Sequence, residues 1–251
     1  MNTIKLLPRY VNIMLTAMII GSCNISGNLE NSQEDMLLDS TAASKGWTNV
    51  ATEGDDLLYG GENGFIINGL GGFDTIVGGA GNDRLRGNDD GDTIYAGNGN
   101  DEVWGDAGND LLYDQANGAD RGSGNDTFIP GSGNDTVWIR PSGGSNIIQL
   151  ESGNDKIYLD CYCSAFDWVE TIVTIAGTNP SGLKELTVWD RDDGNATGIY
   201  HVRTFPAYGH WWYEYQVKTG SSRMYKITLQ DATFEYVGKT DEYALYRINF
   251  K

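Results

Sequence analysis

Three stretches decide the fold: Gly72-Phe73-Asp74-Thr75-Ile76, Gly81-Asn82-Asp83-Arg84-Leu85 and Gly99-Asn100-Asp101-Glu102-Val103. They say one phrase three times. Asp56, Asp74, Asp83, Asp92, Asp101 and Asp110 fall on a single nine-residue grid, and two places after each stands Leu58, Ile76, Leu85, Ile94, Val103 or Leu112. A short unit with one apolar residue has nothing to bury itself against, so a run of such units must stack on its neighbours. Glycines at the first, second and fourth places permit positive φ, hence a tight turn that aims carbonyl oxygens into one concavity. The Asp adds an anionic oxygen, and triplets such as Thr75-Ile76-Val77 read as short strands with the middle side chain inward.

The closest copies, Gly78-Gly79-Ala80-Gly81-Asn82-Asp83-Arg84-Leu85-Arg86 and Ala96-Gly97-Asn98-Gly99-Asn100-Asp101-Glu102-Val103-Trp104, resemble the RTX, or haemolysin-type, calcium-binding repeat. The resemblance implies an all-β fold, a parallel β-roll in which two phrases make one coil and calcium ions lie in rows between stacked turns. Residues eighteen apart then become neighbours, pairing Asp56 with Asp74, Asp74 with Asp92, Asp92 with Asp110, and Asp83 with Asp101. Carried onto this sequence, it implies metal-site carboxylates at Asp56, Asp74, Asp83, Asp92, Asp101, Asp110, Asp126, Asp135 and Asp155. Gly72, Gly79, Gly81, Gly97, Gly99 and Gly108 complete the implied sites. Ca²⁺ suits an oxygen-only set in flexible geometry, whereas zinc is disfavoured where neither His nor Cys occurs.

The pattern is imperfect. Phe65 stands where an Asp belongs, although Ile67 still fills the core place, and Asp90 replaces a fourth-place glycine. The phase slips between Asp114 and Arg121 and again near Pro141, then resumes at Gly124-Asn125-Asp126, Gly133-Asn134-Asp135, Gly144-Ser145-Asn146 and Gly153-Asn154-Asp155. These slips read as bulges or loops.

Charge points to an ion-dependent fold. The 251-residue chain carries a net charge of −18, and twenty acidic against five basic side chains lie between Glu53 and Asp160. Without cations the stack repels itself, and ordering a glycine-rich backbone costs about 1–2 kcal/mol per residue. The roll is therefore expected to fold as calcium binds. The same acidity disfavours nucleic acid, whose phosphates need a basic face.

Residues 1–22 read as an export signal: Lys5 and Arg9 open it, and the apolar run Val11 to Ile20 is too short to span a bilayer. Ile20-Gly21-Ser22-Cys23 resembles the bacterial lipobox, which implies lipidation of Cys23, a membrane anchor and, with Asn24 following, the outer membrane. An ordinary cleaved signal is the alternative, with the protein extracellular. Residues 23–50 read as a flexible tether and 51–160 as the roll.

Residues 161–251 read as a second, β-rich module. Segments 169–176, 184–190, 198–205, 211–218, 223–230, 232–237 and 243–250 suggest strands of a small antiparallel sandwich or curled sheet. Its aromatics, Trp189, Trp211, Trp212, Tyr213 and Tyr215, are candidates for a sugar platform, with a buried core as the plainer reading. Asp190-Arg191-Asp192-Asp193-Gly194-Asn195 reads as a hairpin turn, because its glycine and His201 miss the EF-hand places. Cys161 and Cys163 are left open between thiol and disulfide.

No enzyme is expected. His201 and His210 are the only histidines, no H-E-x-x-H occurs and no serine lies in G-x-S-x-G. The alternative is a small polysaccharide-acting enzyme with a carboxylate pair, or a carbohydrate-binding module.

Overall fold

The computed structural model describes residues 50–115, 123–140, 144–160, 171–189, 198–219, 222–239 and 243–251. The export signal, Cys23, the tether as far as residue 49, Cys161, Cys163 and the Asp190–Asn195 turn lie outside them.

Short strands alternate between two sheets. The first sheet takes β1 (Leu57–Gly61), β3 (Thr75–Ala80), β5 (Thr93–Asn98), β7 (Leu111–Tyr113), β9 (Thr136–Ile139) and β11 (Asp155–Asp160). The second takes β2 (Ile66–Leu70), β4 (Arg84–Asp89), β6 (Glu102–Ala107), β8 (Thr127–Ile129) and β10 (Ser145–Ser152). All these neighbours pair in parallel, as the β-roll reading requires. The register sets Leu58 beside Ile76, Ile76 beside Ile94 and Leu85 beside Val103. Two inward columns result, Leu58, Ile76, Ile94, Leu112, Val137 and Ile157 against Ile67, Leu85, Val103, Phe128 and Ile148, and together they form the buried core. One apolar side chain per phrase suffices because each is covered from above, below and across.

Both sheets continue past residue 160. Strand β12 (Thr171–Ser181) pairs with β10, and β13 (Lys184–Trp189) with β11, both in parallel. The inward columns run on through Ile175 and Leu186, so these strands add one more coil. The remaining strands are β14 (Gly198–Ala207), β15 (His210–Thr219), β16 (Ser222–Gln230), β17 (Ala232–Lys239) and β18 (Tyr243–Phe250). The first sheet ends β13-β18-β17 with antiparallel pairing. In the second, β16 joins β12 in parallel before β15 and β14 complete an antiparallel meander. The expected antiparallel strands are thus present, and they extend the roll's own two sheets, giving two of nine strands each. Tyr225 of β16 ties the end of the roll to this meander: its buried hydroxyl donates to Asp160 O at 2.6 Å and lies 3.1 Å from Ile139 O.

On the outer face of the first sheet, the residues following the inward ones line up in an aromatic ladder. Tyr95, Tyr113, Trp138 and Tyr158 stack with centroids 4.8, 6.2 and 4.3 Å apart and planes within 14°.

Candidate metal centre

The aspartates of the grid stand just before the strands, two residues ahead of each inward apolar side chain. Parallel register therefore stacks them in two columns. Asp56, Asp74, Asp92, Asp110, Asp135 and Asp155 flank the first sheet; Asp83, Asp101 and Asp126 flank the second. All but Asp56 are at most 2% exposed.

Each carboxylate uses its two oxygens differently. Oδ1 accepts the backbone N–H of the column neighbour one coil earlier: Asp56 donates to Asp74, Asp74 to Asp92, Asp92 to Asp110 and Asp83 to Asp101, at 2.8–2.9 Å. The ladder survives the phase slips, because Asp101 donates to Asp126 and Asp110 to Asp135 across 25 residues, and Asp135 to Asp155 across 20. Each slip only lengthens one coil. Oδ2 of Asp74, Asp83, Asp92, Asp101, Asp110 and Asp135 is buried with no hydrogen-bond partner. An uncompensated buried anionic oxygen is costly, and repetition at six places marks a feature of the design.

The preceding residue works in the opposite direction. Asn82 Oδ1 accepts the N–H of Asn100, Asn100 that of Asn125, and Asn125 that of Ser145. Asn109, Asn134 and Asn154 do the same on the other side. Each Asn-Asp pair thus hydrogen-bonds to the coils on both sides of its own.

Turn geometry follows the glycine reading and extends it. Gly72, Gly79, Gly81, Gly97 and Gly99 have φ between +100° and +134°. Asp90 holds the fourth place at φ +72°, and Leu70, Asn88 and Asp106 hold the second at +84°, +78° and +70°. Asn and Asp tolerate this left-handed region, whereas Leu70 sits there at a steric cost. Gly108 has no positive φ, but a Cβ there would lie 1.8 Å from Asp90 O. The first-place glycines Gly69, Gly78, Gly87 and Gly105, expected to take positive φ, do not; they are needed for close approach instead. A Cβ on Gly69, Gly78, Gly87 or Gly105 would fall 2.1–2.5 Å from Oδ2 of Asp74, Asp83, Asp92 or Asp110, so each orphan oxygen is pressed against bare backbone.

Burial pushes these carboxyls up despite the N–H each receives: Asp83, Asp92, Asp126 and Asp135 to about 7, and Asp101 and Asp110 to about 6. Column neighbours add repulsion, as Asp110 and Asp74 do to Asp92. Asp114, outside the grid and read from sequence only as the start of a phase slip, is also buried and raised well above the usual range, although it accepts the Arg140 N–H.

Both columns change character at their ends. Phe65 stands at the head of the second column and is core; its N–H still donates to Asp83 Oδ1 at 2.7 Å. Asn146 takes the place after Asp126. In the first column, β13 sets Lys184 beneath Asp155.

The donor set is oxygen only: orphan carboxylate oxygens set against the backbone of the glycine turns. No three acidic, His or Cys side chains converge on a point among the described residues, so backbone carbonyls must supply much of any coordination shell. That composition fits a hard cation of high coordination number. The model of the RTX calcium-binding nonapeptide repeat, which spans four copies, matches residues 50–63, 66–93, 86–113, 122–137 and 142–160. The chain is therefore an RTX-repeat protein, and RTX nonapeptide repeats bind Ca²⁺. No curated protein matches the chain.

Of the aromatics considered for a sugar platform, Tyr215 is core and Trp211 is 52% exposed. His210 Nδ1 lies 2.6 Å from Asp231 Oδ2, and His201 Nε2 lies 2.9 Å from Thr204 Oγ1, both at the surface.

Proposed function

We propose that the two aspartate columns hold rows of calcium ions and that the roll is a calcium-dependent structural and binding element of an exported, non-enzymatic protein. The observation that carries it is the set of six buried Oδ2 atoms without hydrogen-bond partners, in register from coil to coil. Asp56, Asp74, Asp92, Asp110 and Asp135 on one side, and Asp83, Asp101 and Asp126 on the other, would give one oxygen each, with turn carbonyls completing the shells. Bound calcium supplies the positive charge that lets buried carboxylates stay ionised. Export through the N-terminal signal, with a lipid anchor on Cys23, would set the protein in the cell envelope or outside the cell, where RTX-repeat proteins are usually found.

Circular dichroism of chelated protein titrated with CaCl₂ tests this, with ions counted by native mass spectrometry. Strand signal should appear with calcium and several ions should be retained. A spectrum indifferent to chelator, with no calcium retained, overturns it.

A second reading, glycan binding, is favoured by one feature. The aromatic ladder ends at Tyr158, where a cleft of about 430 Å³ is lined by Tyr158, Thr187, Tyr243, Lys156 and Glu185. A ring face beside polar groups suits a pyranose, which presents an apolar face and a hydroxyl edge. Tyr158→Ala would abolish retention on polysaccharide if this holds; unchanged retention, or turnover of the glycan, would argue against simple binding there.

A further inference from the structure

The first aspartate column ends in a positive charge. Leu186 continues the inward column below Ile157, so the residue two places earlier, Lys184, occupies the position that Asp56, Asp74, Asp92, Asp110, Asp135 and Asp155 hold above it. Its side chain is 1% exposed, and it is among the largest fully buried side chains of the protein. Nζ lies 2.6 Å from Asp155 Oδ2, and donates to Gly153 O at 2.6 Å and Ser181 O at 2.8 Å. Three oxygens surround the ammonium: a column carboxylate that pairs with it, the turn carbonyl of Gly153 and the carbonyl that ends β12. That is the kind of oxygen set a cation between two turns would draw on.

We infer that the Lys184 ammonium is a tethered cation that fills the last position of this column in place of calcium, so that the coil joining Asp155 to β13 closes without metal. This rests on the calcium reading of the columns. An ammonium and a divalent cation drawing on the same three oxygens exclude each other, both by volume and by repulsion at short range. Asp155 remains in the ladder through Oδ1, which accepts the Asp135 N–H at 3.2 Å, while its other oxygen is committed to Lys184. The second column reaches the same result by another route: its charge runs out at Asn146, and the register then places buried Val173 next. Both columns therefore lose their need for metal in the last coil of the roll.

The test uses the full-length protein and Lys184→Asp, with calcium counted by native mass spectrometry and backbone hydrogen exchange measured with calcium and in chelator. Wild type in chelator should keep slow exchange over residues 155–159 and 184–188 while residues 75–113 exchange freely. Lys184→Asp should retain one more calcium than wild type, and its residues 155–159 should be protected only with calcium. If that variant does not fold, the wild-type exchange pattern still decides. Loss of protection at 155–159 in parallel with 75–113, or an unchanged calcium count in Lys184→Asp, overturns the inference while leaving the calcium columns standing. A wild type that retains no calcium at all overturns the columns first.

Discussion

Asp92 accepts the Asp74 N–H through Oδ1 at 2.8 Å and leaves Oδ2 buried beside Gly87 with no hydrogen-bond partner. On the proposed calcium reading, one side chain does two separable jobs, holding the coil above and facing a cation. Asp92→Asn keeps an acceptor for Asp74 and removes the charge. It should raise the calcium needed for half-maximal folding by about 10-fold or more, and in chelator it should be no less ordered than wild type. Asp92→Ala should additionally lose about 1–3 kcal/mol, because the Asp74 N–H is left unpaired. Calcium titrations of the two variants followed by circular dichroism separate these effects.

Acid should act oppositely on the metal-free and loaded roll. The folded, metal-free state holds Asp83, Asp92, Asp126 and Asp135 at about 7 and Asp101 and Asp110 at about 6, all above the ordinary 3.8. The folded state then binds more protons than the unfolded one, so this contribution is complete below about pH 4 and is lost as pH rises through 6–7. Chelated protein should gain order between pH 8 and pH 5. Calcium binding expels those protons, so apparent affinity should fall over the same interval. Calorimetry in two buffers of different ionisation enthalpy would read the proton release.

Two glycine substitutions should differ sharply. A Cβ on Gly99 would lie 1.6 Å from Gly81 O in the coil above, at φ +134°, and neither partner is a movable side chain. Gly99→Ala should disrupt stacking at that turn and cost several kcal/mol, on the order of the largest single-residue effects. Gly238→Ala, with nothing within 4 Å, should be close to neutral. Thermal unfolding in saturating calcium compares them.

Tyr225→Phe removes the hydroxyl that reaches Asp160 O and Ile139 O. The loss should be about 1–3 kcal/mol from carbonyls left buried without that donor. Denaturant unfolding in calcium measures it.

The roll was legible in the sequence because the same interaction is made at every turn: the nine-residue period of Asp83, Asp92 and Asp101 marks each half-coil, and the family resemblance supplies two halves to a coil. Where coil length changes, the rule remains but the spacing hides it: Asp110 reaches Asp135 across 25 residues. Lys184 could not be recognised as a member of the column, since the final coil sets it 29 residues after Asp155 and no aspartate marks the place. The seven C-terminal strands were visible from alternation, but partner choice was not. Nothing local in Tyr225 or Ile227 announces parallel pairing with Thr171 and Val173. Alternation also failed to separate Tyr215, which packs edge-on against Phe234 in the core, from exposed Trp211 on the same strand face.

The row of rings from Tyr95 to Tyr158 carries an optical consequence. Chromophores stacked 4.3–6.2 Å apart with nearly parallel planes share their excited states, and the coupling vanishes when the coils that set the spacing come apart. Tyr113 lies before one lengthened coil and Trp138 after it, so energy transfer between them registers whether that junction has closed. The protein thus holds a built-in spectroscopic gauge of its own winding, without any added label.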